Sequence, residues 1–125
     1  MTGFLIVFLG GGFGAALRHG VNILAARYLG ATFPWGTLIE NVSGSFVMGL
    51  LVAYFAFKGD AAQPWRLFLA TGVLGGYTTF SAFSLEVVLL YERGDIALAA
   101  LYVLLSVGLA VGGLFAGLAL VRQFA

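Results

Sequence analysis

Cysteine is absent from the chain, and histidine occurs once among its 125 residues. No disulfide and no thiolate metal site can form, and a histidine-rich metal site is excluded as well. Charge is also scarce. Six Lys/Arg and five Asp/Glu make up 9% of the sequence and leave a net charge of +1. Soluble domains carry about 25% charged residues, so this chain is too poor in charge to cover a water-facing surface. The same poverty argues against disorder and against a basic patch for nucleic acid. What the chain does have is apolar residues, at 62%, and 19 glycines. That balance predicts a small all-α integral membrane protein forming one domain, residues 1–125.

A helix crosses the hydrocarbon with about 20 mostly apolar residues. Four stretches qualify: Gly3 to Leu29, Trp35 to Phe57, Trp65 to Tyr91, and Ile96 to Val121. Polar punctuation separates them at Gly30–Pro34, Lys58–Pro64 and Glu92–Asp95. Trp35, Trp65 and Tyr91 stand at span ends, where amphipathic rings settle at headgroup level. The first span is not a cleavable leader by pattern. No Lys or Arg precedes Phe4, and Gly10, Gly11, Gly12 and Gly14 interrupt the apolar run. A barrel is excluded, because its strands would alternate in polarity over about ten residues.

Short connections make successive helices antiparallel. Lys58, Arg66 and Arg122 then lie on one side of the membrane, with Arg27 and Arg93 on the other, joined by Arg18 if its stem snorkels outward. The Lys/Arg bias that sets orientation is nearly absent. Either the rule is noisy in so small a chain, or the chain inserts both ways round as an antiparallel dimer.

Gly10-Gly11-Gly12-Phe13-Gly14-Ala15 fits the dinucleotide fingerprint G-x-G-x-x-A, but that motif needs a parallel sheet for which there is no room. Small residues four apart serve close helix packing in lipid instead. The pairs are Gly10/Gly14, Ser45/Gly49, Gly72/Gly76, Gly108/Gly112 and Gly113/Gly117.

In the second span Thr37, Asn41 and Ser45 recur every four residues and share a face. Such a stripe cannot face lipid; it meets either a neighbouring helix or a permeation path. The third span carries Gly72-Val73-Leu74-Gly75-Gly76-Tyr77-Thr78-Thr79-Phe80-Ser81-Ala82-Phe83-Ser84. Paired glycines and paired β-branched threonines predict a break or kink here. Irregular backbone at that depth must be buried in protein or line a cavity, and its freed carbonyls suit a small hard cation. Phe80 and Phe83 share a face beside Ser81 and Ser84. Tyr102 and Ser106 put two hydroxyls on one face of the fourth span. Glu40 and Glu86 are acids within spans, functional candidates by default. Glu86 lies toward an interface as a vestibule acid, and Glu40 points about 100° away from Asn41 around the helix.

Thr37, Asn41, Ser81, Ser84, Tyr102 and Ser106 donate hydrogen bonds without carrying charge. Aromatic ring edges are electropositive. Together they suit a small, strongly hydrated anion. No Ser/His/Asp or Cys/His arrangement and no paired acid and base are present, so the chain does not read as an enzyme.

These residues resemble the small prokaryotic fluoride channels of the CrcB, or Fluc, family. The likeness covers essentially the whole chain. It rests on Gly36-Thr37-Leu38 with Asn41 and Gly44-Ser45-Phe46, on Gly75-Gly76 with Thr78-Thr79-Phe80-Ser81 and Phe83-Ser84, on Gly14 with Leu17-Arg18, and on Tyr102 with Ser106. The resemblance implies a multi-pass protein of the cytoplasmic membrane that exports fluoride and so lowers its toxicity. It implies four transmembrane helices, a broken third helix, and a dual-topology homodimer with two antiparallel pores. Phe80 and Phe83 of both subunits would line the fluoride paths beside Asn41, with Thr37, Ser81, Ser84, Tyr102 and Ser106 in a polar track. A structural sodium ion on the two-fold axis would be held by backbone oxygens of Gly75 and Thr78. Glu86 takes the family's third-helix acid position. The chain departs at Glu40, where the family is usually apolar, and at Ala82, often threonine. The expected partners are fluoride, the lipid bilayer and a second copy.

Two other readings compete. A small proton-coupled multidrug exporter is similarly built but needs an acid midway along its first helix, which this span lacks. A non-transporting assembly subunit would explain the glycines but not the Asn41 stripe.

Overall fold

The structure is a computed structural model and describes residues 2–57 and 63–124. The described residues form helices α1 (Thr2–Leu29), α2 (Trp35–Ala56), α3 (Gln63–Arg66), a π-helical stretch Leu67–Leu74, α4 (Gly75–Tyr77), α5 (Phe80–Glu92) and α6 (Ile96–Gln123). Four spans are long and apolar enough to cross a membrane: α1, α2, the composite Gln63–Glu92, and α6. They agree with the four stretches expected from sequence to within two residues at each end. Most of the connection at Lys58–Pro64, including Lys58, lies outside the described residues.

The ends of the spans follow local chemistry. Gly30 (φ 85°) and Gly94 (φ 91°) take the left-handed conformation that stops α1 and α5. Arg93 donates from Nε to Asp95 Oδ2 (2.7 Å) and from Nη2 to the Thr32 carbonyl (2.7 Å). The α1–α2 and α5–α6 connections are thus tied at one end of the bundle.

Glycine sets the helix spacing. A methyl group on Gly10 would come within 2.6 Å of the Phe68 carbonyl oxygen and 3.0 Å of the Gly72 Cα. One on Gly14 would collide with the Val73 carbonyl, and one on Gly76 with that of Gly11. α1 therefore lies backbone to backbone against the π-helical stretch and α4. Gly49 and Gly117 bring α2 and α6 together in the same way, against the Leu114 and Phe46 carbonyls. The Gly108/Gly112 pair departs from the expected pattern, because nothing lies within 4 Å of either position. Close packing within this chain does not account for it.

The third span breaks where the paired threonines predicted, at Thr78 (φ −84°, ψ 156°) and Thr79 (φ −152°, ψ 122°). The helix restarts at Phe80, capped by the Thr79 hydroxyl, which accepts from the Ala82 amide at 3.2 Å. The π-helical turns before the break were not foreseen. A small core of Phe33, Leu38, Leu90, Ala99 and Tyr102 joins α2, α5 and α6.

Candidate functional site

The break is held open by side chains from α1 and α2. Asn41 donates from Nδ2 to the Thr79 carbonyl (3.0 Å) and accepts at Oδ1 from the Thr79 amide (2.8 Å). Arg18 donates from Nε to the Gly76 carbonyl (3.1 Å). Ser43 and Tyr77 pair through their hydroxyls at 3.0 Å. Gly44 leaves room for Thr78, whose methyl group would collide with any Cβ there.

These contacts free particular carbonyls. In an unbroken helix the Gly75 and Thr78 oxygens would accept from the amides of Thr79 and Ala82. Those amides are given instead to Asn41 Oδ1 and the Thr79 hydroxyl. Two uncharged, hard oxygens are thereby released beside a glycine that is exposed in the single chain. The donor set fits a small monovalent cation such as sodium. Two oxygens do not complete its shell, so further ligands must come from elsewhere.

A cavity of about 340 Å³ opens beside the break. Asn41, Ser45, Thr78, Phe80, Phe83 and Ser106 are on its wall. The Phe80 and Phe83 rings stand 5.6 Å apart at 46°. From Phe83 the ring series continues inward to Tyr102 at 5.2 Å and then to Phe33 at 5.5 Å, edge to face. Phe80 is 78% exposed, so in a single chain one side of the cavity is open.

Behind that ring series lie polar groups without partners. Tyr102 Oη, Ser106 Oγ and Glu86 Oε1 are buried and are left without a hydrogen bond among the described residues. Thr37, Tyr102 and Glu86 are nevertheless close enough to interact. Glu86 also lines a second cavity of about 160 Å³, together with Thr32, Pro34 and Arg93 near one end of the bundle. Buried polar groups call for a partner. Here they run from the first cavity, at Ser106, through Tyr102 to the second, at Glu86.

The residues singled out from sequence thus divide into groups. Asn41, Phe80, Phe83 and Ser106 meet at the first cavity, and Thr37, Tyr102 and Glu86 form the buried cluster. Gly75 and Thr78 belong to the break. Ser81 is exposed beside it, 3.3 Å from the Thr79 hydroxyl, and Ser84 is half-buried with no place on either cavity wall. Sequence reasoning missed the roles of Arg18, Ser43 and Thr79. A charged residue within an apolar span was the available signal for Arg18.

Four spans long and apolar enough to cross a membrane, the third of them broken beside a cavity lined by polar groups and aromatic rings, mark a multi-pass membrane protein. Residues 5–118 match the family model described as CrcB-like protein, Camphor Resistance (CrcB). The chain belongs to this family. It is 69% identical over 120 residues to a protein of Nitrobacter hamburgensis called fluoride-specific ion channel FluC 2, covering 96% of this chain and 97% of that one. It is 66% identical to a fluoride-specific ion channel FluC of Rhodopseudomonas palustris, covering 95% and 96%. It is 60% identical to one of Methylobacterium nodulans, covering 99% of each.

Proposed function

We infer that the chain is a fluoride-selective ion channel, not an enzyme, and that it lets fluoride leave the cell across the cytoplasmic membrane. Its near-full-length identity to channels of that name supports the reading. The observation that carries it is the uncharged donor path beside the Phe80–Phe83 pair. Fluoride is small and holds its water tightly. It can cross only where donors replace that water, and a net positive site would hold it too long to conduct. Asn41 keeps one Nδ2 hydrogen after serving Thr79. Ser106, Tyr102 and Thr37 offer hydroxyls, and the Phe80 and Phe83 edges add weak positive charge. Ser81 and Ser84 would join the path on the partner's side.

The working unit on this reading is a dual-topology homodimer. The exposed Phe80 ring, the one-sided cavity, the incomplete carbonyl set and the balanced Lys/Arg count all support it. Gly75 and Thr78 carbonyls of two antiparallel chains would together hold a structural sodium ion at the axis, where it would fix the two breaks against each other.

The reading is tested in cells that lack their own fluoride export. Expression of the chain should restore growth in millimolar-range fluoride, and growth should be lost with Phe83→Ile. Failure to protect from fluoride, with protection from lipophilic cations instead, would favour the multidrug exporter.

A further inference from the structure

Among the described residues Glu40 is the least accessible charged side chain, at 0% exposure, and neither of its oxygens has a hydrogen-bond partner there. It lies in the second turn of α2, next to Asn41 in sequence and one helical turn from Thr37. The charged or titratable groups that act on it come from three other elements. Arg18 of α1, Glu86 of α5 and Tyr102 of α6 stand near enough to couple to it electrostatically. Arg18 is anchored to the break through Nε alone. Its Nη groups make no other hydrogen bond among the described residues.

A carboxylate in such a place is expensive, and packing does not explain it. A leucine or methionine would fill the volume without the desolvation cost. Its position relative to the polar path is the distinctive feature. Along α2 Glu40 falls between Thr37, which belongs to the cluster with Glu86 and Tyr102, and Asn41, whose amide holds the break. Low-dielectric surroundings let its charge reach that path almost unscreened. Arg18 gives its Nε to the Gly76 carbonyl and forms no ion pair with Glu40 among the described residues, so it offsets the charge only in part.

We propose that Glu40 is a conduction-setting residue: its carboxylate, partly balanced by Arg18, lowers the path's affinity for the passing anion. This rests on the fluoride-channel reading. A path of fixed donors alone binds a strongly accepting anion tightly and releases it slowly. A buried negative charge beside it weakens the hold without removing any donor. The residue touches neither the cavity wall nor the ion, and acts through its field.

The test separates charge from shape. Glu40→Asp keeps the charge and shortens the side chain, whereas Glu40→Gln keeps the shape and removes the charge. Purified protein of each kind is sized as an assembled particle, and fluoride flux from liposomes is measured over a range of fluoride concentrations. If the field acts, Glu40→Gln lowers the half-saturating fluoride concentration by about threefold or more, and Glu40→Asp stays near the wild-type value. If Glu40 serves packing, or carries no charge that fluoride feels, Glu40→Gln matches the wild type, and the proposal is overturned. Should Glu40→Gln fail to assemble, Glu40→Met supplies the uncharged arm with the same expectation. Failure of both neutral variants to assemble would make the role structural and overturn it too. Wild-type protein that moves no fluoride would overturn the channel reading itself. Wild-type flux with no effect of neutralisation would overturn this inference alone.

Discussion

The side chain of Asn41 pairs with the backbone of Thr79 as one peptide group pairs with another, giving Nδ2–H to its carbonyl and taking its N–H at Oδ1. One residue of α2 thereby satisfies both backbone groups exposed where the third span breaks. The amide holds the break, and Asn41 also lines the cavity that Phe80 and Phe83 border.

Asn41→Asp tests that double duty. An ionised aspartate accepts from the Thr79 amide but donates nothing to its carbonyl. Fluoride flux should fall at least about tenfold, the result of about 1.4 kcal/mol added to a barrier. Thermal stability should fall too, because a hydrogen bond worth about 1 kcal/mol is lost and an acceptor is left unpaired. Wild-type flux in a well-folded Asn41→Asp protein would show that the amide serves packing alone.

Sodium dependence follows from the released carbonyls. Because the proposed ligands are backbone oxygens, Thr78→Ser should keep the ion. Its hydroxyl can still donate to the Leu74 carbonyl, as that of Thr78 does at 2.9 Å. Exhaustive replacement of sodium by a large organic cation should lower the melting temperature of wild type and Thr78→Ser alike, since a ligand that binds only the assembled state stabilises it by mass action. An unchanged melting temperature after that exchange would remove the cation from the account.

The glycine contacts make a sharper claim about packing. Gly49→Ala and Gly117→Ala each place a methyl against a backbone carbonyl across α2 and α6. Each should destabilise by about 1–3 kcal/mol, the usual cost of overpacking. Gly12→Ala, with nothing within 4 Å, should be close to neutral. Equal losses at all three positions would mean that helix spacing is not set by these contacts.

Much of this architecture was legible in the residues. Span ends are marked by Gly30, Trp35 and Gly94, and the paired threonines mark the break, because each of these acts through local backbone or interfacial chemistry. The ties from Arg18 to Gly76 and from Asn41 to Thr79 were not legible. They span 58 and 38 residues of sequence, and no local pattern fixes which carbonyl a long side chain will meet. The π-helical turns at Leu67–Leu74 left no mark either, since their sequence suits an α-helix equally well. Full burial of Glu40 ran against the ordinary expectation for a carboxylate. Composition pointed to a membrane protein without showing how three helices would close around one acid.

Phe80 and Phe83 separate a pore role from a core role. Phe→Ile conserves apolar character and usually costs no more than about 1.5 kcal/mol. As core residues they should lose a little stability and no flux. As pore residues they lose the electropositive ring edge, and each variant should assemble yet conduct at least about tenfold more slowly, on the same barrier arithmetic. Phe46 and Phe115, which do not line the cavity, should tolerate the swap. Equal flux losses at all four positions would withdraw the pore assignment.

The central claim is tested most directly by one flux measurement. Purified protein is placed in liposomes loaded with equal fluoride and chloride, and efflux of each ion is followed with selective electrodes after a potassium ionophore relieves the charge. Fluoride should leave rapidly and completely from protein-bearing vesicles while chloride stays inside. Retention of both ions, or release of chloride alongside fluoride, would contradict a fluoride-selective channel.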